Sequence, residues 1–181
     1  MTPDLEHAHR LARGNRQTPR RRQLRRAGLH AAVGSLLTTA SVYDLSEMRS
    51  RRVWTDDAAA YPTGNFKRLD RNLYFETVIE RCEPYASTSI EGIQKVFFDW
   101  QKIQALGFES NMNLPAVADG QVIGTLNLLH RKGHFTADKV EAALAWQPVA
   151  TLAFLLLDRM RSEGANFHGV SDGGGAPAME G

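Results

Sequence analysis

Extended, apolar-rich segments of matched length flank Asp119-Gly120, one over Ser110–Ala118 and the other over Gln121–His130. A type I′ turn needs positive φ at both central residues, and Asp-Gly is among the strongest short signals for one. The pattern therefore predicts a β-hairpin whose side chains alternate between two faces. A two-residue turn pairs Ala118 with Gln121, Ala116 with Ile123, Leu114 with Thr125 and Met112 with Asn127, and sets Glu109 opposite His130. In that register one face carries Met112, Leu114, Ala116, Ile123, Thr125, Asn127 and Leu129. The other carries Glu109, Asn111, Asn113, Pro115, Val117, Val122, Leu126, Leu128 and His130. Both faces hold apolar residues, so the sheet is expected to be covered on both sides. The second face adds a carboxylate, two amides and an imidazole at one end, where a ligand is expected.

Elsewhere the hydrophobic period alternates between helix and strand. Thr18-Pro19 reads as a helix start, with the hydroxyl as cap and proline in the first turn. The helix runs to about Val33 on Leu24, Ala27 and Ala31, and Gly34-Ser35 ends it. Leu36–Leu45 is rich in β-branched and aromatic residues, which favours a strand. Arg51–Thr55 returns as a second strand, with Arg52 and Trp54 on one face. Asp56–Leu69 reads as a loop long enough to serve as a lid. Asp70 is expected to cap a helix running towards Cys82, which Glu83-Pro84 breaks. Thr88 or Ser89 caps another, buried on Ile90, Ile93, Val96, Phe97 and Trp100 and ended by Gly107. Thr136 caps the last helix, whose apolar stripe reaches Met160 and which Pro148 should kink. Together these predict an α+β domain with an antiparallel sheet.

At 181 residues the chain suits one domain, read as 18–161, with a basic leader over 1–17 and a disordered Gly/Ala-rich tail over 162–181. The net charge of +2 is unevenly spread, since eight arginines crowd the stretch from Arg10 to Arg26. Such an arm can bind nucleic acid by counterion release, or it can be a solvated helix face. No aromatic residue interleaves with it, so nucleic acid is the less favoured partner. Cys82 is the single cysteine, which excludes an internal disulfide and a cysteine-rich metal site. The N-terminus lacks the apolar core of a secretory signal, and the longest apolar run, Val149–Leu157, is too short to span a bilayer. A soluble cytoplasmic protein, with no membrane partner, is the expectation.

Several side chains are candidates for ligand binding. Arg52 can clamp a carboxylate or phosphate with its fixed fork of donors, or lie on the surface beside Arg51. Lys67 can add a second positive charge, Tyr61 and Trp54 can pack on a ligand, and Pro62 stiffens the loop at Tyr61. Asn113 precedes Pro115, whose missing N–H suggests an edge or a bulge that re-aims side chains. His130 held by Glu109 would leave one ring nitrogen for a ligand or a proton, the arrangement expected if the protein is an enzyme. His130, His134 and Glu109 match no familiar metal-ligand spacing, so neither a metal nor a cofactor is expected.

Residues 120–130, Gly-Gln-Val-Ile-Gly-Thr-Leu-Asn-Leu-Leu-His, followed by Gly-His-Phe-Thr-Ala-Asp-Lys-Val and an alanine-rich helix, resemble the end of a GAF domain. Thr39–Asp44, Arg51-Arg52-Val53-Trp54-Thr55, Tyr61-Pro62, Lys67, Leu106-Gly107 and Asn113-Leu114-Pro115 extend the resemblance, which covers roughly residues 20–160 and is to stand-alone bacterial GAF proteins. It implies a GAF/PAS-like central antiparallel sheet with the terminal helices on one face and a ligand pocket on the other. It also implies small-molecule sensing, signalling and homodimerisation through the terminal helices. The Asn-Lys-X-Phe-Asp pattern of cyclic-nucleotide GAF domains is absent, and Cys82 is misplaced for bilin attachment. One cysteine also does not match the several used by the methionine-sulfoxide reductases of this type. The leading expectation is a sensor-type protein for a compact anionic metabolite, bound by Arg52, Trp54, Tyr61, Lys67, Asn113 and His130. The alternatives are a small enzyme working through His130 and Glu109, by hydrolysis or proton transfer, and a regulatory subunit acting through a partner.

Overall fold

The computed structural model describes residues 32–162 and 179–180. The leader, and the helix expected from Thr18 apart from its last residues Ala32 and Val33, lie outside them. The β-rich stretches assemble into one sheet: β1 (Leu37–Asp44), β2 (Arg49–Thr55), β3 (Phe66–Arg68), β4 (Tyr85–Ser87), β5 (Ser110–Ala118) and β6 (Gln121–His130). Their order is β4-β5-β6-β1-β2-β3, every neighbouring pair antiparallel. Of the tail, Met179–Glu180 is described; it forms β7, a short strand pairing in parallel with β3. A π-helical turn over Phe75–Glu80 and two short helices, α1 (Ile90–Gln94) and α2 (Trp100–Ala105), fill the connections. The chain closes with α3 (Ala137–Leu144) and α4 (Gln147–Ser162).

The sheet separates two cores. On one face Met112, Leu114 and Leu128 pack with Val33, Phe135 and Ala143, while Phe154 of α4 presses on Ala40 and Ala116. On the other face, Leu69, Tyr74, Phe75, Val78 and Val96 form one cluster, and Leu37, Tyr61, Ile90, Ile93, Ile103 and Leu129 form a second. Terminal helices thus cover one side and the connecting segments the other. Among the described residues no single helix is long and apolar enough to cross a membrane.

Asp119 and Gly120 take φ of 50° and 70°, as the I′ turn requires, and Ala118 pairs with Gln121. The expected register then fails two residues later. Val117 pairs with Val122 but Ala116 pairs with Gly124, so Ile123 is the extra residue of a β-bulge. From there β6 is shifted by one residue, and Asn113 pairs with Asn127, Pro115 with Thr125 and Ser110 with His130. The second hairpin does the same: Ala40 pairs with Trp54 but Ser41 with Arg52, leaving Val53 as the extra residue. Pro115 costs the ladder little, because β4 pairs only as far as Asn113 and beyond it β5 is an edge. Helix α4 meets the groups exposed there. Gln147 donates to the Pro115 carbonyl at 3.0 Å, and Thr151 accepts the Val117 N–H at 3.0 Å.

Other expectations change as well, and the helix expected from Thr88 or Ser89 to Gly107 is the two short helices α1 and α2. The long loop contains β3, the helix from Asp70 is a π-turn capped by Asn72, and the last helix is two helices bent by 52°. Pro148 falls in the first turn of α4, where its missing donor has no partner to lose, so the chain breaks just before it.

Candidate functional site

The sheet face away from α4 is built from rungs of paired residues. Asn111, Leu129 and Leu37 form one; Asn113, Asn127 and Thr39 the next; Pro115, Thr125, Ser41 and Arg52 a third; Tyr43, Ser50 and Lys67 a fourth. Over them lie Tyr61, Leu69, Asn72, Tyr74, Val96–Asp99 and Ile103, enclosing a cavity of about 100 Å³. Its floor is polar although buried, so its polar groups must find partners within the protein.

They do so in one directed chain. Asn111 Nδ2 donates to Asn113 Oδ1 at 2.8 Å, and Asn113 Nδ2 donates to Asn127 Oδ1 at 2.8 Å. Thr125 donates to that same Oδ1 at 2.9 Å, while Asn127 Nδ2 donates to Thr39 and Ser41, each at 3.1 Å. Because the Thr125 proton is committed, the 2.7 Å contact with Tyr43 must run from the phenol. Tyr43 then accepts from Tyr74 at 2.6 Å. Asn127 is the hub at which both arms end. Burial pushes the Tyr43 hydroxyl up to about 12, and burial, with Tyr43 alongside, drives Tyr74 well above its ordinary range. Both phenols stay neutral and hold their protons in the chain.

Charge gathers at the β2–β3 end. Arg52 donates from Nη1 to the Pro62 carbonyl at 2.8 Å, and its guanidinium lies 4.7 Å over the Tyr61 ring. The Gly64 N–H returns to the Arg52 carbonyl at 2.9 Å, so this arginine fastens the loop to β2. Lys67 pairs with Asp99 at 2.7 Å and sits 4.7 Å from the Phe97 ring, joining β3 to the segment between α1 and α2. Arg68 pairs with Asp70 at 2.8 Å.

No family model and no curated relative matches the chain. Solved structures do. The GAF domain of a phosphoenolpyruvate-protein phosphotransferase from Coxiella burnetii superposes with a TM-score of 0.63 at 16% identity, over 89% of this chain and 96% of its own. The GAF domain of a two-component sensor histidine kinase from Bacillus halodurans gives 0.59 at 9%, over 89% and 99%. This chain has the GAF fold. The second GAF domain of DevS from Mycobacterium smegmatis is similar as well, with a TM-score of 0.54 at 18% identity over 74% of this chain and 90% of that one.

Within this GAF fold, the cavity brings together Arg52, Tyr61, Lys67 and Asn113. Trp54, Glu109 and His130 do not line it. The bulge at Val53 turns Trp54 to the opposite face, where it packs in the cluster around Phe154. The bulge at Ile123 turns His130 likewise; it pairs with Ser110 and stacks on His134 with ring centroids 3.5 Å apart, against Phe135. Glu109 meets it through the backbone, donating its N–H to the His130 carbonyl at 3.0 Å. The same shift carries Thr125 and Asn127 from the expected helix face onto the cavity face. Thr39, Ser41, Tyr43, Tyr74 and Asp99 belong to the site and were not singled out from sequence. The Thr39-x-Ser41-x-Tyr43 alternation was the available signal.

Proposed function

We propose that this GAF-fold chain is a sensor-type protein that binds a compact anionic metabolite in the cavity. The observation that carries the reading is Arg52, 8% exposed, on a wall where three cations (Arg52, Lys67, Arg68) meet two carboxylates (Asp70, Asp99). A carboxylate or phosphate entering there meets a planar fork of donors in a low-dielectric setting, where such bonds are strongest. Lys67 can exchange part of its bond to Asp99 for the ligand, with Tyr61 and Phe97 as apolar walls. A cavity of about 100 Å³ is small beside the roughly 300 Å³ and more that drug-sized ligands occupy, which favours a compact ligand. Similar domains occur in a sensor histidine kinase and a phosphotransferase, in keeping with a sensing role.

Calorimetric titration with small carboxylic and phosphorylated acids tests this. Arg52→Gln is expected to weaken binding by about 1.5–3 kcal/mol, the worth of a hydrogen bond to a charged group. Unchanged affinity in that variant, or no acid bound by the wild type, would overturn the reading. An enzyme working through His130 and Glu109 is less favoured, because neither residue reaches the cavity. Pairing of two copies through the terminal helices is also part of the proposal, supported by the leucines that α4 leaves exposed.

A further inference from the structure

Among the described residues the amides and hydroxyls of the polar floor are satisfied almost throughout, and the exception at Asn111 is informative. Asn111 is 1% exposed and lines the cavity, its Nδ2 is committed to Asn113, and its carbonyl oxygen Oδ1 has no hydrogen-bond partner. A buried acceptor left unmet is costly, and in native proteins such groups are few. The chain direction explains why no neighbour meets it. Asn113, the adjacent amide, has its own donors turned towards Asn127, so no side-chain donor in the chain points back at Asn111. Of the residues that share its rung, Leu129 and Leu37 carry no side-chain donor, and the Ser87 hydroxyl on β4 donates to the Ser89 carbonyl at 2.8 Å.

Its position in the sheet says where on a ligand the missing donor must be. Asn111 is on β5 and Arg52 on β2, three strands and two rungs away. At about 4.8 Å between strands and about 3.4 Å per residue, their Cα atoms are roughly 20 Å apart on a flat sheet. Arg52 and Lys67 therefore mark one end of the cavity and Asn111 the other, with Leu37, Leu129 and Ile103 beside Asn111. A group bonded to the carbon next to the acid would be left at the charged end.

We propose that the cavity selects acids carrying a hydroxyl or amino donor at the end remote from the acid group, with the Asn111 carbonyl oxygen as the selecting atom. The selection rests on the anion-binding reading above and sharpens it. An acid with an apolar far end desolvates that oxygen without satisfying it, and an acid with an oxo group there sets acceptor against acceptor. A 2-hydroxy isomer carries the right donor in the wrong place.

The test is calorimetric titration of the full chain with butanoate, pentanoate and hexanoate, each beside its terminal-hydroxy and 2-hydroxy derivatives. At the chain length that fits best, the terminal-hydroxy acid is expected to bind about tenfold tighter than the parent and the 2-hydroxy isomer. Asn111→Leu, of similar size, should bring the terminal-hydroxy acid and its parent to equal affinity, with thermal unfolding as the check that the variant folds. Equal affinity of parent and terminal-hydroxy acids in the wild type overturns the selection and leaves the anion site standing. Preference for the 2-hydroxy isomer overturns it also, by placing the donor site beside the acid. If no acid binds at any length, the anion-binding reading falls and the selection with it.

Discussion

At the scale of single residues, this site is governed by where protons are held. Asn127 collects donors from Asn113 and Thr125 and passes its own to Thr39 and Ser41, so one amide sets the direction of bonds reaching three strands. Tyr43 relays the arm from Tyr74, and its own titration reports on the chain. Burial raises its hydroxyl from 10.0 to about 12, so the folded state keeps a proton that the unfolded chain loses first. That stabilisation is complete below pH 10.0 and fades as the pH rises through about 12. Tyr43→Phe should lower stability at neutral pH by about 1–3 kcal/mol, because Tyr74 is left without its acceptor. Urea unfolding followed at neutral and alkaline pH should show a smaller alkaline loss in the variant than in the wild type. An equal alkaline loss in both would mean that Tyr43 does not titrate with folding.

Elements record how closely the sheet and α4 are matched. A methyl group on Gly124 would lie 2.3 Å from the Phe154 ring, so α4 rests directly on the β6 backbone at that point. Gly124→Ala is expected to cost about 1–3 kcal/mol by overpacking, read as a lowered thermal midpoint, and Phe154→Leu should recover part of it. No loss in Gly124→Ala would mean that α4 shifts freely. The strands were legible in the sequence because their period and turn chemistry are local: Asp119-Gly120 set the hairpin, and Thr38 to Tyr43 marked β1. Short elements such as β3, β4 and the π-turn were not, since three to six residues show too little period to separate from loop. The two bulges were not either, because Ile123 and Val53 are ordinary strand residues, and only packing against α4 decides that they stand outside the ladder. The candidate site was legible where it depended on the local charge and aromatic character of the residues, at Arg52 on β2, Tyr61 and Lys67 on β3. It was misread wherever it depended on register, at Trp54, His130, Thr125 and Asn127.

For the whole molecule, the sheet divides labour between its faces, with an apolar helix side and a polar cavity side. Helix α4 leaves Leu152 and Leu156 more than half exposed, at 58% and 59%. If the terminal helices pair two copies, light scattering should find a dimer that the double variant Leu152→Lys, Leu156→Lys turns into a monomer with an unchanged fold. A monomeric wild type would dismiss the pairing. The bulge at Ile123 reaches further than its one residue. It works as a parity bit for the strand: what it encodes is not a side chain but an odd or even count. Exchange of Ile123 for another apolar residue leaves the count intact. Loss of Ile123 would straighten the strand and leave Asn127 opposite Asn113, whereas taking Ile123 into the ladder would turn every later position of β6 over, sending Asn127 into the helix core and Leu128 into the cavity. Such a strand can absorb the loss of one residue by giving up the bulge but has no slack for an added one, so insertions in this hairpin should be far rarer among the protein's descendants than substitutions.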